Sequence, residues 1–381
     1  MNDSLNPLFL ALGANIFDAE LWAEVPFSFW AFVFFIFGCI VGSFLNVCIH
    51  RMPLNESLVS PPSHCPRCRY SIPWYLNVPL VTWLWLRGRC ANCKAPISAR
   101  YFLVELLTGL LFLLCWLRYG GESAGVALIL SIFFAGLVVA TFIDIEHYII
   151  PDEITLGGWG VGVALSALVP SLHIQGPWLR AVMLSLLGSA VGAGLTYAIL
   201  RLGKLLFGRQ KLRFDEPTRV EFTETGVLIE GEETPFDEIF YRRSDRILFR
   251  ASKLEALGRT WSDAPVRLSV ERLEIGDESF NPEEVPLMIA TTQEITIPRE
   301  AMGFGDVKFM GAIGAFLGWP GAIFSLMASA LIGAVFNLAL IACGRREWSS
   351  KLPYGPYIAI AAGIWVFAGR WMLDWYLARV G

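Results

Sequence analysis

Charge is scarce in this chain: of its 381 residues only 17% are Asp, Glu, Lys or Arg, while 55% are hydrophobic. A soluble domain of that size needs more charge to cover its surface, so the scarcity argues against an ordinary soluble enzyme. A net charge of −4 provides no basic field, and nucleic acid is not expected as a partner. Residues 1–25 hold Asp3, Asp18, Glu20 and Glu24 but no Lys or Arg. A cleavable secretory signal starts with basic residues, so none is expected, and the first apolar run is long enough to stay as a span. No G-x-G-x-x-G fingerprint follows a strand, which excludes a Rossmann-type cofactor site. Of the few histidines, His50 and His147 lack a partner at i+3 or i+4 and read as interfacial side chains rather than metal ligands.

What is present comes in long apolar blocks rather than periodic stripes. Runs near 27–49, 102–118, 124–143, 154–170, 179–202, 307–319, 321–343 and 355–377 approach or exceed the roughly 18–20 residues that cross a bilayer core. Trp319-Pro320 is the punctuation between the sixth and seventh. The pattern predicts an α-helical polytopic membrane protein of about eight spans. Basic residues set its orientation. Arg51, Arg67, Arg69, Arg87, Arg89, Lys94 and Arg100 crowd the first loop, which places that loop in the cytoplasm and the N-terminus outside. Counting spans from there puts Lys204, Arg209, Lys211 and Arg213 inside, and also Arg345, Arg346 and Lys351. The expected division is 1–25 as an extracytoplasmic segment, 26–49 as the first span and 50–101 as a cytoplasmic loop. Residues 102–207 carry spans two to five, 208–299 an insertion, and 300–381 spans six to eight.

Cys65-Pro-Arg-Cys68 and Cys90-Ala-Asn-Cys93 fall in that first loop. Each C-x2-C pair puts two thiolates on one tight turn, and two such turns complete a tetrahedral zinc shell. The interval is slightly longer than the usual ~15–20 residues. Structural disulfides rarely persist in the cytoplasm, so structural zinc is the expected occupant, held as a zinc-knuckle loop. Four protein ligands leave no open position for catalysis. Cys39, Cys48, Cys115 and Cys343 lie in apolar runs and read as small buried hydrophobes. Trp74, Tyr75, Trp83 and Trp85 in the same loop read as packing or interface anchors.

Two aspartates stand where apolar runs meet polar sequence: Asp144 in FIDIEHYIIPDEIT (142–155) and Asp306 in GFGDVKF (303–309). A carboxylate at a membrane boundary is costly to keep charged, so its presence points to function. The span count puts both on the cytoplasmic side. Two carboxylates brought close cannot both ionise easily, and such a pair can activate water as base and protonate a leaving amine as acid. This reading is an intramembrane aspartyl protease; the structural alternative is that both cap helices. Asp144 fits a cap poorly, since it follows its apolar run, where the helix dipole disfavours negative charge. Pro151 stops the turn, and Asp152 is placed to cap the next helix. Gly303 and Gly305 allow close approach to Asp306, while Lys308 is expected to snorkel to the interface. Glu146 and Glu153 read as solvated. Glu105 is another boundary carboxylate, read mainly as a helix-end cap.

From about 208 to 299 the composition turns charged, and stretches such as Arg219-Val-Glu-Phe-Thr, Arg246-Ile-Leu-Phe and Glu294-Ile-Thr-Ile alternate like strands. An inserted β-rich soluble domain is expected, with no catalytic motif of its own.

Taken together, GSFLNVCIHRMP (42–53), the two-knuckle stretch 63–105, FIDIEHYIIPDEIT (142–155) and EAMGFGDVKFMGAIGAFLGW (300–319) closely resemble the type IV prepilin peptidases, bifunctional leader peptidases and N-methyltransferases of type IV pilus and type II secretion systems. The resemblance implies Asp144 and Asp306 as the catalytic pair, with Gly303, Gly305, Lys308, Pro151 and Asp152 as supporting motif residues. It implies prepilin or pseudopilin substrates, cleaved after a glycine at the cytoplasmic face of the bacterial inner membrane. It also implies methylation of the new N-terminus from S-adenosylmethionine, for which no binding residue is identified. Membrane lipid and components of a pilus or secretion assembly are the other expected partners. A non-catalytic scaffold of such an assembly is the alternative. An ion carrier fits poorly, because the interiors of 124–143 and 321–343 are almost wholly apolar.

Overall fold

In lipid a backbone must satisfy its own N–H and C=O groups, so long apolar runs become helices. The computed structural model describes residues 22 and 24–380, apart from 174–175, 230, 237–238, 241–244, 299–302 and 345–351. Segment 1–21 and the basic group Arg345, Arg346 and Lys351 therefore lie outside the described residues. Among the described residues the helices are α1 (Phe27–Arg51), the short α2 (Val81–Trp85), α3 (Ala99–Tyr119), α4 (Ala124–His147), α5 (Asp152–Leu168), α6 (Trp178–Phe207), α7 (Phe304–Ala342) and α8 (Gly355–Val380). Six of them are long and apolar enough to cross a bilayer: α1, α3, α4, α6, α7 and α8. The bundle is that of a multi-pass membrane protein. At 17 residues α5 is shorter than those six.

Helix α4 is apolar on every side, which suits a helix buried all round. It packs against α1, α3, α5 and α8, with Phe134 stacked on Phe367 of α8 and Phe133 against Phe316 of α7. Helices α1 and α3 meet closely at Gly42, where an added Cβ would lie 2.7 Å from the Glu105 Cα. Helices α6 and α7 cross still more tightly: a Cβ on Gly314 would lie 2.1 Å from the Gly188 carbonyl oxygen. Small residues at such crossings let backbones touch, the usual packing currency inside membranes.

Helix α7 is two helices in one. Gly318 sits at φ 68°, and Pro320 removes an N–H two residues on. The sequence punctuation was read at Trp319-Pro320; the break itself is at Gly318. The Ala315 carbonyl accepts from His173 Nε2 at 3.1 Å and Ser185 Oγ at 2.8 Å, so side chains from outside the helix satisfy backbone near the break. Cys343, expected to be buried in a span, is exposed just beyond the end of α7.

The chain also forms a second compact unit, residues 198–303. Its eight strands make one antiparallel sheet in the order β3-β2-β1-β8-β4-β5-β6-β7. They are β1 (Arg209–Phe222), β2 (Gly226–Ile229), β3 (Glu232–Pro235), β4 (Ile247–Ala256), β5 (Arg259–Leu268), β6 (Leu273–Ile275), β7 (Glu278–Phe280) and β8 (Met288–Pro298). Alternation gathers Val220, Phe222, Ile247, Leu254, Met288 and Ile295 into one core. Strands β4 and β5 join through Leu257-Gly258, both at positive φ, the geometry that matches the twist of a two-residue hairpin. First and last strands are direct partners, Arg209 opposite Pro298, so the insertion begins and ends side by side.

Candidate active site and cysteine cluster

Asp144 lies in the last turn of α4, which closes when Tyr148 turns left-handed and donates its N–H to the Asp144 carbonyl oxygen at 2.9 Å. The Asp144 side chain is 5% exposed, and its Oδ2 accepts the backbone N–H of Gly355 at 2.8 Å. Gly355 is the first residue of α8. Asp306 stands in the first turn of α7 and is 8% exposed. Ile150, in the turn after Asp144, joins the two motifs. A Cβ on Gly305 would lie 3.6 Å from Ile150 Cβ, and one on Gly355 would lie 3.2 Å from Ile150 Cδ1 and 2.9 Å from Asp144 Oδ2. Tyr354 completes the cluster: its hydroxyl lies 3.0 Å from Ser329 Oγ. Burial raises the Tyr354 pKa, the Ser329 hydrogen bond opposes this, and the Asp306 carboxylate adds to the rise.

The N-termini of α5, α7 and α8 thus converge on the end of α4. Free N–H groups and positive dipole ends offset part of the cost of burying two carboxylates there. Asp152 opens α5 but makes no side-chain cap; its Oδ1 instead pairs with Lys308 Nζ at 2.6 Å. Lys308, expected to snorkel, is therefore a cross-tie between α5 and α7 and also lies over the Phe304 ring. Pro151 precedes α5 in extended geometry, and Gly303 is exposed ahead of α7. Glu146, read as solvated, pairs with Arg100.

Sequence reasoning missed Gly355 and Tyr354. Their signal was Pro353-Tyr354-Gly355-Pro356 at the opening of the last apolar run, a helix start with a glycine where another group comes close.

The two cysteine turns are built alike. Cys65 and Cys90 each donate N–H to a residue five places on, Tyr70 and Ala95, and each turn closes through a left-handed residue, Arg69 and Lys94. The four Sγ atoms lie within 4.8 Å of one another, with Cys65–Cys93 at 3.8 Å and Cys68–Cys90 at 3.9 Å. A tetrahedral shell with ~2.3 Å metal–sulfur bonds has sulfurs about 3.8 Å apart. The cluster therefore fits a metal and not a disulfide. The Tyr70 N–H, above all, holds the Cys68 thiol down to about 6, which favours the thiolate a metal needs. Glu105 does not cap its own helix; that role belongs to Ser98. Its Oε2 accepts the Leu80 N–H at 2.8 Å, tying the loop to α3 at a residue held at φ 61°.

Two family profiles match this architecture. The Bacterial Peptidase A24 N-terminal domain covers residues 36–119, with the cysteine turns, and the type IV leader peptidase family covers 131–212 and 285–338, with Asp144 and Asp306. The chain belongs to the type IV leader peptidase family. A prepilin leader peptidase/N-methyltransferase of Aeromonas salmonicida is 28% identical over 387 residues, 95% of this chain and 98% of the relative. Its namesake from Dichelobacter nodosus is 31% identical over 48% of this chain and 71% of the relative. The one from Myxococcus xanthus is 49% identical over 35% of this chain and 39% of the relative. No solved structure gives a significant match. The leader peptidase profile leaves out 213–284, the middle of the sheet, while its two matched stretches take in the start of β1 and all of β8.

Proposed function

We propose that this chain is an intramembrane aspartyl endopeptidase that removes the leader of type IV prepilins or type II secretion pseudopilins, and that it N-methylates the new N-terminus. The observation that carries this reading is the buried meeting of α4, α5, α7 and α8, where Asp144 accepts the Gly355 N–H and Ile150 borders the glycines next to both motifs. Family membership gives the reaction class. The relatives' activity names leave a non-catalytic scaffold without support.

In this reading Asp144 and Asp306 share one proton. The ionised carboxylate takes a proton from water, the protonated one polarises the scissile carbonyl, and the proton then passes to the leaving amine. The Gly355 N–H fixes the face that Asp144 presents. Lys308 and Asp152 hold α7 against α5 and so keep Asp306 in place.

Eight spans follow if α5 crosses and α7 turns back at Gly318. Contacts at helix ends support that count. Asp144 meets Gly355, while Gly318 lies near His173 and Trp116 donates to the Phe27 carbonyl. Each pair falls on one side when eight spans are counted. The basic first loop then places the aspartates at the cytoplasmic face of the inner membrane.

Cys65, Cys68, Cys90 and Cys93 would hold structural zinc as a closed thiolate shell. When bound, S-adenosylmethionine supplies a sulfonium methyl group to the new N-terminal amine; no residue here is assigned to it. The test is cleavage of a prepilin-type substrate by the wild type, Asp144→Asn and Asp306→Asn, read by N-terminal mass. Both variants should lose at least ~100-fold in rate while remaining folded. Retained cleavage by either would sink the dyad.

A further inference from the structure

Between the two cysteine turns the chain exposes an apolar face that no other part of the protein covers among the described residues. Trp74 is 82% exposed, Trp85 77% and Leu84 57%, and Tyr75, Val78 and Val81 are exposed beside them. Trp83 alone of the ring-bearing residues here turns inward, its ring 5.1 Å from Phe102 of α3. Six large apolar side chains exposed within twelve residues mark an interaction site rather than ordinary protein surface.

Where the face sits decides what covers it. Leu80 is hydrogen-bonded to Glu105, six residues into α3, and Trp83 packs on Phe102, three residues in. At ~1.5 Å per residue those positions lie about 4–9 Å along the helix from its start. All 21 residues of α3 reach only about 31 Å, close to the ~30 Å of a hydrocarbon core. Helix α2 therefore stands at the level where headgroups give way to acyl chains. Arg67 and Arg69 in the first cysteine turn and Arg87 and Arg89 just after α2 are exposed, a charge set suited to lipid phosphates. Tryptophan and tyrosine beside arginine is the composition that membrane–water boundaries select.

We propose that Trp74–Trp85 is a membrane-surface anchor. Val81, Leu84, Trp74 and Trp85 enter the boundary layer of the leaflet at the start of α3, and the neighbouring arginines meet anionic headgroups. The anchor fixes the height of the cysteine cluster above the bilayer, with Leu80 and Glu105 as the rigid tie to α3.

The experiment uses the full chain in nanodiscs of phosphatidylglycerol and phosphatidylethanolamine containing a phospholipid with a diazirine near its headgroup. Adducts are mapped by mass spectrometry, with and without a prepilin-type peptide that has an apolar helix. Labelling of residues 74–85 should fall within about threefold of that on exposed membrane-boundary residues such as Trp178, and the peptide should not change it. Labelling confined to the spans would overturn the anchor. So would labelling of 74–85 that the peptide removes while Trp178 stays labelled, since the face would then belong to a peptide substrate.

Discussion

A Cβ placed on Gly355 would stand 2.9 Å from Asp144 Oδ2, too close for both to stay where they are. The Gly355 N–H now holds that oxygen at 2.8 Å. Gly355→Ala should therefore leave the fold intact but turn the carboxylate; under the proposed mechanism, in which Asp144 is a reacting group, a displacement of about 1 Å costs on the order of 100-fold in rate. The loss should fall on kcat rather than KM, because the change re-aims a carboxylate and removes no side chain. A wild-type kcat would mean that Asp144 needs no such hold. Asp144 and Asp306 stand out in the sequence because a charge at the edge of an apolar run is anomalous there. Gly355 does not, because its contribution is a backbone N–H, which every residue but proline carries and only a fold can aim. Asp152 and Lys308 stand out in the sequence beside the two aspartates, yet their pairing is hidden there, since it joins positions far apart in sequence.

At the scale of elements, the cysteine loop gives a direct test. If its thiolates hold zinc, the purified chain should carry about one metal per molecule, and Cys65→Ser should abolish it and expose residues 63–97 to protease. A metal-free wild type, equally resistant, would argue for a loop held by its hydrogen bonds alone. The sheet gives a pH test. Asp263 accepts Arg250 Nε and Nη2 at 2.7 and 2.8 Å, and Glu294 bridges Lys211 and Arg213. These hydrogen bonds hold both carboxyls below their ordinary values of 3.8 and 4.5. The folded sheet thus binds fewer protons than the unfolded chain in that range. Its stabilisation is present in full above about pH 4.5 and is lost as pH falls through the depressed folded values. Both pairs are exposed, so the effect is shallow. The melting midpoint of the sheet should drop between pH 5 and 3, and less so in Asp263→Asn with Glu294→Gln. Alternation made β4 and β8 readable as strands at Arg246-Ile-Leu-Phe and Glu294-Ile-Thr-Ile, but not their neighbour relation, which pairs Leu248 with Thr296 and Ala256 with Met288 across the intervening chain. The break in α7 was read one step late, at proline, because proline announces itself in sequence while a left-handed Gly318 does not.

For the whole molecule, apolar blocks carried most of the bundle: run length and the shift to charged sequence after 207 separate helices from sheet without any contact information. They could not say how closely the ends of the insertion lie. Arg209 faces Pro298 across one antiparallel ladder, where paired Cα atoms are about 4.5–5.5 Å apart. A gap that short can be closed by a few Gly and Ser residues at little entropic cost. The leader peptidase profile also passes over 213–284 while matching the stretches that carry both aspartates. Replacing 209–298 with a short flexible linker should accordingly leave leader cleavage within about tenfold of wild type. Cleavage rate and bundle melting are the measurements. If the bundle folds and cleavage fails, the sheet takes part in substrate recognition, and processing of several different prepilin-type substrates by the shortened chain would show whether it selects among them.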